Sequence, residues 1–224
     1  EALVGRRVTH PHLFSVLAAC VRQSPRYLVM PWLEGRTLTA RLQECLPPDV
    51  PEILWVVRQV AEALAALHEH GWMHGDVKPE NVMVSPAGHA TLLDLGFARR
   101  RNEDASAATR ILVGTFAYMA PELLSSRLRA DIRSDLYSLG VVLFEALGGR
   151  LPFTGRSMPE LISQHQRAPA PDLKRLVPQV PDEVAELVRR LLAKEPLRRP
   201  QNPAELVEQL VELEIATFSE RALA

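Results

Sequence analysis

The stretch His74-Gly75-Asp76-Val77-Lys78-Pro79-Glu80-Asn81 decides how this chain is read. It gathers an acid, a cation and a carboxamide within six positions. A helical pattern precedes it. Asp49 can act as a cap, Glu52 stands three residues on, and Ile53, Val56, Val57, Val60, Leu64 and Leu67 recur at helical spacing until Gly71 stops the run. A hairpin pattern follows it, with Val82 to Val84 and Thr91 to Leu93 flanking Pro86-Ala87-Gly88. The stretch between them is therefore a loop, the kind of segment on which catalytic groups are displayed. Thirteen residues after Asn81, Asp94-Leu95-Gly96 closes the hairpin. Two acids and an asparagine on hairpin-linked loops are hard oxygen ligands suited to Mg²⁺. Taken singly, Asp76, Lys78, Asn81 and Asp94 read as ordinary turn residues. Their joint order and context argue for chemistry instead.

The flanks give the frame for that loop. Leu13 to Val21 and Tyr27 to Met30 are apolar runs separated by Gln23-Ser24-Pro25, which predicts a hairpin. Ser134 to Leu147 is apolar all round and predicts a buried central helix. Two amphipathic helices close the chain. One starts at Pro181-Asp182-Glu183 and buries Val184, Leu187, Val188, Leu191 and Leu192. The other has Asn202 as N-cap, Pro203 at its first position and Glu205 as capping-box acid, and buries Leu206, Val207, Leu210 and Val211.

Composition excludes several classes of protein. With 224 residues, 47% hydrophobic and 24% charged, the chain is neither disordered nor too small for a core. Lys and Arg number 26 against 27 acids, so there is no excess of positive charge for a nucleic-acid surface. The longest apolar run, Leu136 to Leu147, carries Glu145 and is too short to span ~30 Å of hydrocarbon. No signal peptide is recognised at the start. Cys20 and Cys45 lack paired spacing, which rules out a disulfide framework or zinc ribbon. These features predict a globule of a reducing compartment. His68 and His70 diverge on a helix with no His-Glu-x-x-His pattern, so no zinc site is expected there. Trp32, Trp55 and Trp72 read as core or rim packing, Arg99-Arg100-Arg101 as a solvated run, and Glu80 as a solvated loop acid.

A third motif, Gly114-Thr115-Phe116-Ala117-Tyr118-Met119-Ala120-Pro121-Glu122, lies downstream of Asp94. In this order and spacing the three motifs resemble the catalytic loop, metal-binding loop and activation-segment end of the protein kinase family. Tyr27-Leu28-Val29-Met30 and Ser134 to Val142 resemble the bacterial Ser/Thr kinases of eukaryotic type. The resemblance implies an α+β, mostly α fold: a kinase-like C-terminal lobe over 34–224 with a remnant of the N-terminal β lobe over 1–33. It implies ATP and Mg²⁺ as cofactors and, as partner, a protein carrying a Ser or Thr acceptor.

The resemblance also implies roles for individual residues. Asp76 would orient the acceptor hydroxyl and take its proton, Lys78 would neutralise the transferring phosphoryl group, and Asn81 and Asp94 would hold Mg²⁺. Met30 falls at the gatekeeper position, the backbone of Pro31 and Leu33 would face adenine, and Met83 would form the pocket floor. Thr115 would bond to the catalytic Asp and Lys and favour a Ser or Thr acceptor. Asp135 would accept backbone N–H groups of the catalytic loop, with His74 packed beneath it. Glu122 and Arg199 would form a buried ion pair, and Glu1 falls where the helix glutamate stands. No nucleic acid and no membrane segment are implied for this chain. The location implied is cytoplasmic, or the cytosolic part of a larger membrane-anchored protein that could form a homodimer.

The sequence departs from the family pattern in two places. Gly75 replaces the usual Arg of His-Arg-Asp, which weakens the link to phosphosites such as Ser106 and Thr109. There is also no Gly-x-Gly-x-x-Gly, and the first lysine is Lys78, so the Gly-rich loop and strand lysine are missing from this stretch. A piece of a longer kinase is therefore expected. The alternatives are a small-molecule phosphotransferase of the aminoglycoside/choline type, whose loop also reads His-Gly-Asp, and a non-catalytic pseudokinase module.

Overall fold

The computed structural model describes residues 1–44, 49–100, 115–124 and 131–223, with the backbone alone for Thr115 and for 219–223. Cys45, Ser106, Thr109, Arg101 and Gly114 lie outside the described residues. Short elements open the chain: helix α1 (Ala2–Gly5), strands β1 (Ala18–Cys20) and β2 (Tyr27–Val29), strand β3 (Arg36–Thr37) and helix α2 (Leu38–Glu44). β1 and β2 form the expected antiparallel hairpin, with Ala18 opposite Val29 and Cys20 opposite Tyr27. It is shorter than its apolar runs suggested. Leu13 bridges Leu92 in parallel, the Phe14 N–H donating to the Leu92 carbonyl at 2.9 Å. Residues 12–14 are thus taken up by the later hairpin, a long-range pairing that the local pattern does not encode.

Helix α3 (Val50–Glu69) carries all six predicted apolar positions into the core and ends just before Gly71. Strand β4 (Trp72–Met73), the catalytic-type loop and the hairpin β5 (Val82–Val84) and β6 (Ala90–Leu92) follow, β5 pairing with both β3 and β6. Strand β7 (Arg99–Arg100) returns to β4, with Met73 opposite Arg99. Helix α4 (Ile132–Gly148) is the central element. The side chain of its N-cap Asp131 accepts from the Arg133 N–H, and nearly all of its residues are buried. α3, α6 (Leu173–Leu176) and α7 (Asp182–Leu191) pack on it, while α5 (Met158–Arg167) lies against the 115–124 stretch and α8 (Pro203–Leu223) against α3. The Asn202 side chain caps α8 by accepting from the Glu205 N–H at 2.8 Å. One continuous apolar core runs from Val4 to Leu210.

Three sequence expectations are corrected by this packing. Val211 is exposed, because α8 lies on α3 through Leu206 and Leu210 and turns Val211 outward. Trp32 is 91% exposed and so packs in neither core nor rim. The arginine run is not simply solvated. Arg99 is half-buried, and Arg100 lies over the Trp72 ring at 5.3 Å.

Candidate active site

The loop 74–81 is anchored from below by a single carboxylate. Asp135, in the first turn of α4, accepts the N–H of His74 on Oδ2 and of Gly75 on Oδ1, both at 2.8 Å. Burial pushes the Asp135 carboxyl up, and the two N–H donors oppose that shift. Both of its oxygens are occupied, which makes burial of an acid there tolerable. His74 is fully buried. Its Nδ1 accepts the Asp76 N–H at 3.2 Å, so the proton sits on Nε2, which donates to the Leu93 carbonyl at 2.9 Å.

Gly75 has φ +81°, and a Cβ there would stand 2.8 Å from the Phe97 carbonyl oxygen. The left-handed backbone and the close approach both favour glycine. The departure from His-Arg-Asp thus has a local physical cause.

Asp76 faces away from this anchor. Lys78 Nζ sits 2.7 Å from its Oδ2, and Asn81 Nδ2 donates to the same oxygen at 2.9 Å and to the Asp76 carbonyl at 2.8 Å. Asp76 Oδ1 is buried and has no hydrogen-bond partner among the described residues. An unpaired buried carboxylate oxygen is costly to hold and calls for an account.

The second loop meets the first through backbone. The Leu93 N–H donates to the Asn81 carbonyl at 2.8 Å, so Leu93, the residue before Asp94, is bonded to both His74 and Asn81. Asp94 is left-handed at φ +60°, a conformation Asp tolerates when its side chain bonds locally. Its Oδ1 accepts the Gly96 N–H at 2.9 Å, and a Cβ at Gly96 would collide with that oxygen. Asp76 and Asp94 therefore share one framework. Asn81 spends its amide nitrogen on Asp76, which leaves its Oδ1 available as an oxygen donor of the hard-cation type, as the carboxylate of Asp94 is.

Other predicted residues fall in separate places. Met30, Pro31 and Leu33 line a cavity of about 450 Å³ with Phe14, His89 and Leu93, while Met83 lies in β5 and is not part of that lining. Glu1 is exposed at the N-cap of α1, and its side chain has no partner among the described residues. Of Thr115 only the backbone is described. Glu122 and Arg199 form a two-pronged pair at 2.7 and 2.9 Å, both fully enclosed. Ser134 and the carbonyls of Arg133, Ala193 and Lys194 satisfy the rest of that pair. Tyr118 donates to Glu145 at 2.7 Å, and burial, reinforced by the nearby Glu80, pushes the Glu145 carboxyl up.

Against known proteins, a family model described as the protein kinase domain matches residues 1–212. The chain belongs to the protein kinase family. Its relatives include the serine/threonine-protein kinase PrkC of Bacillus subtilis, 32% identical over 89% of this chain and 31% of the relative. PknD of Mycobacterium tuberculosis is 34% identical over 92% of this chain and 31% of its own length. Pkn2 of Myxococcus xanthus is 37% identical over 94% of this chain and 26% of its own length. The kinase domain sequence thus spans under a third of each of these relatives. Among the described residues no helix is long and apolar enough to cross a membrane. Sequence reasoning missed Leu93, which acts through backbone atoms and leaves no side-chain signal. It also missed His165, discussed below, whose spacing from Leu161 places it on the inner face of α5.

Proposed function

We propose that this chain is the catalytic C-terminal lobe, with part of the N-terminal lobe, of a kinase that transfers the ATP γ-phosphoryl group to Ser and Thr hydroxyls of proteins. The division falls between residues 33 and 34. The observation that carries the reading is Asp76 Oδ1, a buried carboxylate oxygen without a hydrogen-bond partner among the described residues, on a carboxylate that also meets Lys78. That oxygen is suited to accept the hydrogen of an incoming hydroxyl, orient its oxygen and take up the proton as the new O–P bond forms. Lys78 offers a cation beside the same carboxylate, and Asn81 and Asp94 would hold the magnesium. When bound, Mg²⁺-ATP supplies the phosphoryl group and a divalent charge that offsets the negative charge of transfer. The chain's own contribution is placement and charge, which is most of what phosphoryl transfer needs. The reading implies a cytoplasmic setting, where ATP is available.

The test is phosphate transfer by the full-length protein from labelled ATP with Mg²⁺. Label on Ser and Thr of a protein acceptor, and none on small alcohols, is the expected result. Label on an aminoglycoside or choline, or no transfer at all, overturns it. The 224-residue chain alone is expected to fall well below the 1–100 s⁻¹ usual for kinases, since it contains no Gly-rich loop to exclude water.

A further inference from the structure

Three successive residues of α5 tie that helix to its surroundings. The Gln164 carbonyl accepts from Lys194 Nζ at 3.5 Å, His165 Nδ1 meets Tyr137 Oη of α4 at 2.9 Å, and Gln166 Nε2 donates to the Leu124 carbonyl at 3.2 Å. His165 has no exposed surface, and its ring packs against Phe153 at 5.0 Å and Tyr137 at 5.8 Å. With Tyr137 donating to Nδ1, the remaining ring proton is on Nε2. Among the described residues that buried nitrogen has no hydrogen bond of normal geometry, while the Ala117 backbone carbonyl lies near enough to raise the proton affinity of the ring. Burial and the neighbouring Lys194 hold this imidazole down at about 4, so it stays neutral. Lys194 is itself lowered to about 8 by burial and lies 3.7 Å over the Phe153 ring.

We infer that His165 is a positioning residue: braced by Tyr137, it sets the height of the 115–118 turn through the Ala117 carbonyl and so tunes affinity for the acceptor peptide. This rests on the kinase reading above, in which Thr115, the first residue of that turn, favours a Ser or Thr acceptor. α5 packs against the 115–118 turn, so the buried N–H and the Ala117 carbonyl stand near each other but outside normal hydrogen-bond geometry. A buried donor left unpaired favours whatever movement supplies a partner. The turn is thus biased toward α5, and the bias requires a neutral imidazole held in this tautomer.

The experiment is steady-state phosphotransfer by the full-length protein with His165→Phe and with the double variant His165→Phe/Tyr137→Phe. The double variant removes the hydroxyl that the single one orphans, so it recovers the thermal stability that the single variant loses. The KM for the protein acceptor is expected to rise roughly 5–10-fold in both, the size of the one neutral hydrogen bond that Nε2 is inferred to complete with the turn when acceptor is bound, with KM for ATP unchanged. His165→Gln, which keeps a donor near the Nε2 position, is expected to restore most of the acceptor KM. An acceptor KM that returns to normal in the active double variant overturns the inference while leaving the kinase reading intact. A wild type with no Ser/Thr transfer overturns both.

Discussion

Two buried aspartates of this molecule, Asp76 and Asp135, are each 3% exposed and lie in contact with the same loop, yet they are used in opposite ways. Asp135 gives both oxygens to backbone N–H groups of His74 and Gly75. Asp76 pairs one oxygen with Lys78 and Asn81, and its other oxygen has no partner among the described residues. The first arrangement uses a carboxylate to fix a loop. The second keeps one in reserve for a ligand and tolerates the desolvation cost. Burial alone does not distinguish structure from chemistry; the count of satisfied lone pairs does.

If the open set acts as a unit, losing its partner across the hairpin should be the most damaging change. Asp94→Asn in the full-length protein is expected to lower Mg²⁺-dependent transfer by a factor on the order of 10² or more, with the fold preserved by circular dichroism. Retained activity would remove Asp94 from the metal site. The satisfied class is tested by Glu122→Ala, which strands Arg199 in a site with no exposure. Breaking such a pair costs about 3–5 kcal/mol, measured as a fall in the denaturant midpoint. A change below 1 kcal/mol would mean the pair is not a buried tie.

The loop between the two aspartates is probed by Gly75→Arg, which writes the common His-Arg-Asp. Because position 75 is left-handed and close to the Phe97 carbonyl, it should cost about 1–3 kcal/mol rather than restore a family feature. A neutral or stabilising result would contradict the backbone argument.

The smallest effect expected is in acid. His10, His12 and His89 stack beneath the hairpin that leads to Asp94, with ring centroids 5.5 and 4.6 Å apart. Burial is the main reason that His10 and His12 titrate below the ordinary imidazole value. Glu62 opposes this for both, Glu69 opposes it for His10, and for His12 the neighbouring His89 and His10 add to it. A depressed histidine favours the fold when neutral. Its contribution is therefore complete above about pH 6.5 and is lost as pH falls through the lowered values. The melting temperature should drop between pH 7.5 and 5.5, with the buried His165, held at about 4, contributing as well, and His89→Gln should remove only the share of the drop that the stack causes. An unchanged pH response in the variant would show that the stack is not the cause.

Much of this architecture could be read from the chain because the decisive signals are local. The periodicity of α3, the uniformly apolar α4 and the Asn202–Glu205 cap each need only a few neighbouring residues. The 74–81 loop is legible for a different reason: an acid, a lysine and an asparagine at that spacing have few other uses together. What stayed hidden depends on distant partners. Nothing near Leu13 announces that it pairs with Leu92, nothing near Val211 that α8 turns it outward, and nothing near Trp32 that it is left in solvent. Gly75 is visible as a departure, but the Phe97 carbonyl that explains it comes from another strand turn.

The contrast between the two aspartates reduces to one measurement: melting temperature and phosphotransfer rate of Asp76→Asn, taken on the same preparation of full-length protein. The account predicts a melting temperature close to wild type, because Asn keeps an oxygen for Lys78 and Asn81 and replaces the carboxylate oxygen that has no partner among the described residues, and a fall in transfer of about 10²–10⁴-fold. Near-normal transfer, or collapse of the fold with the rate per folded molecule preserved, would contradict it.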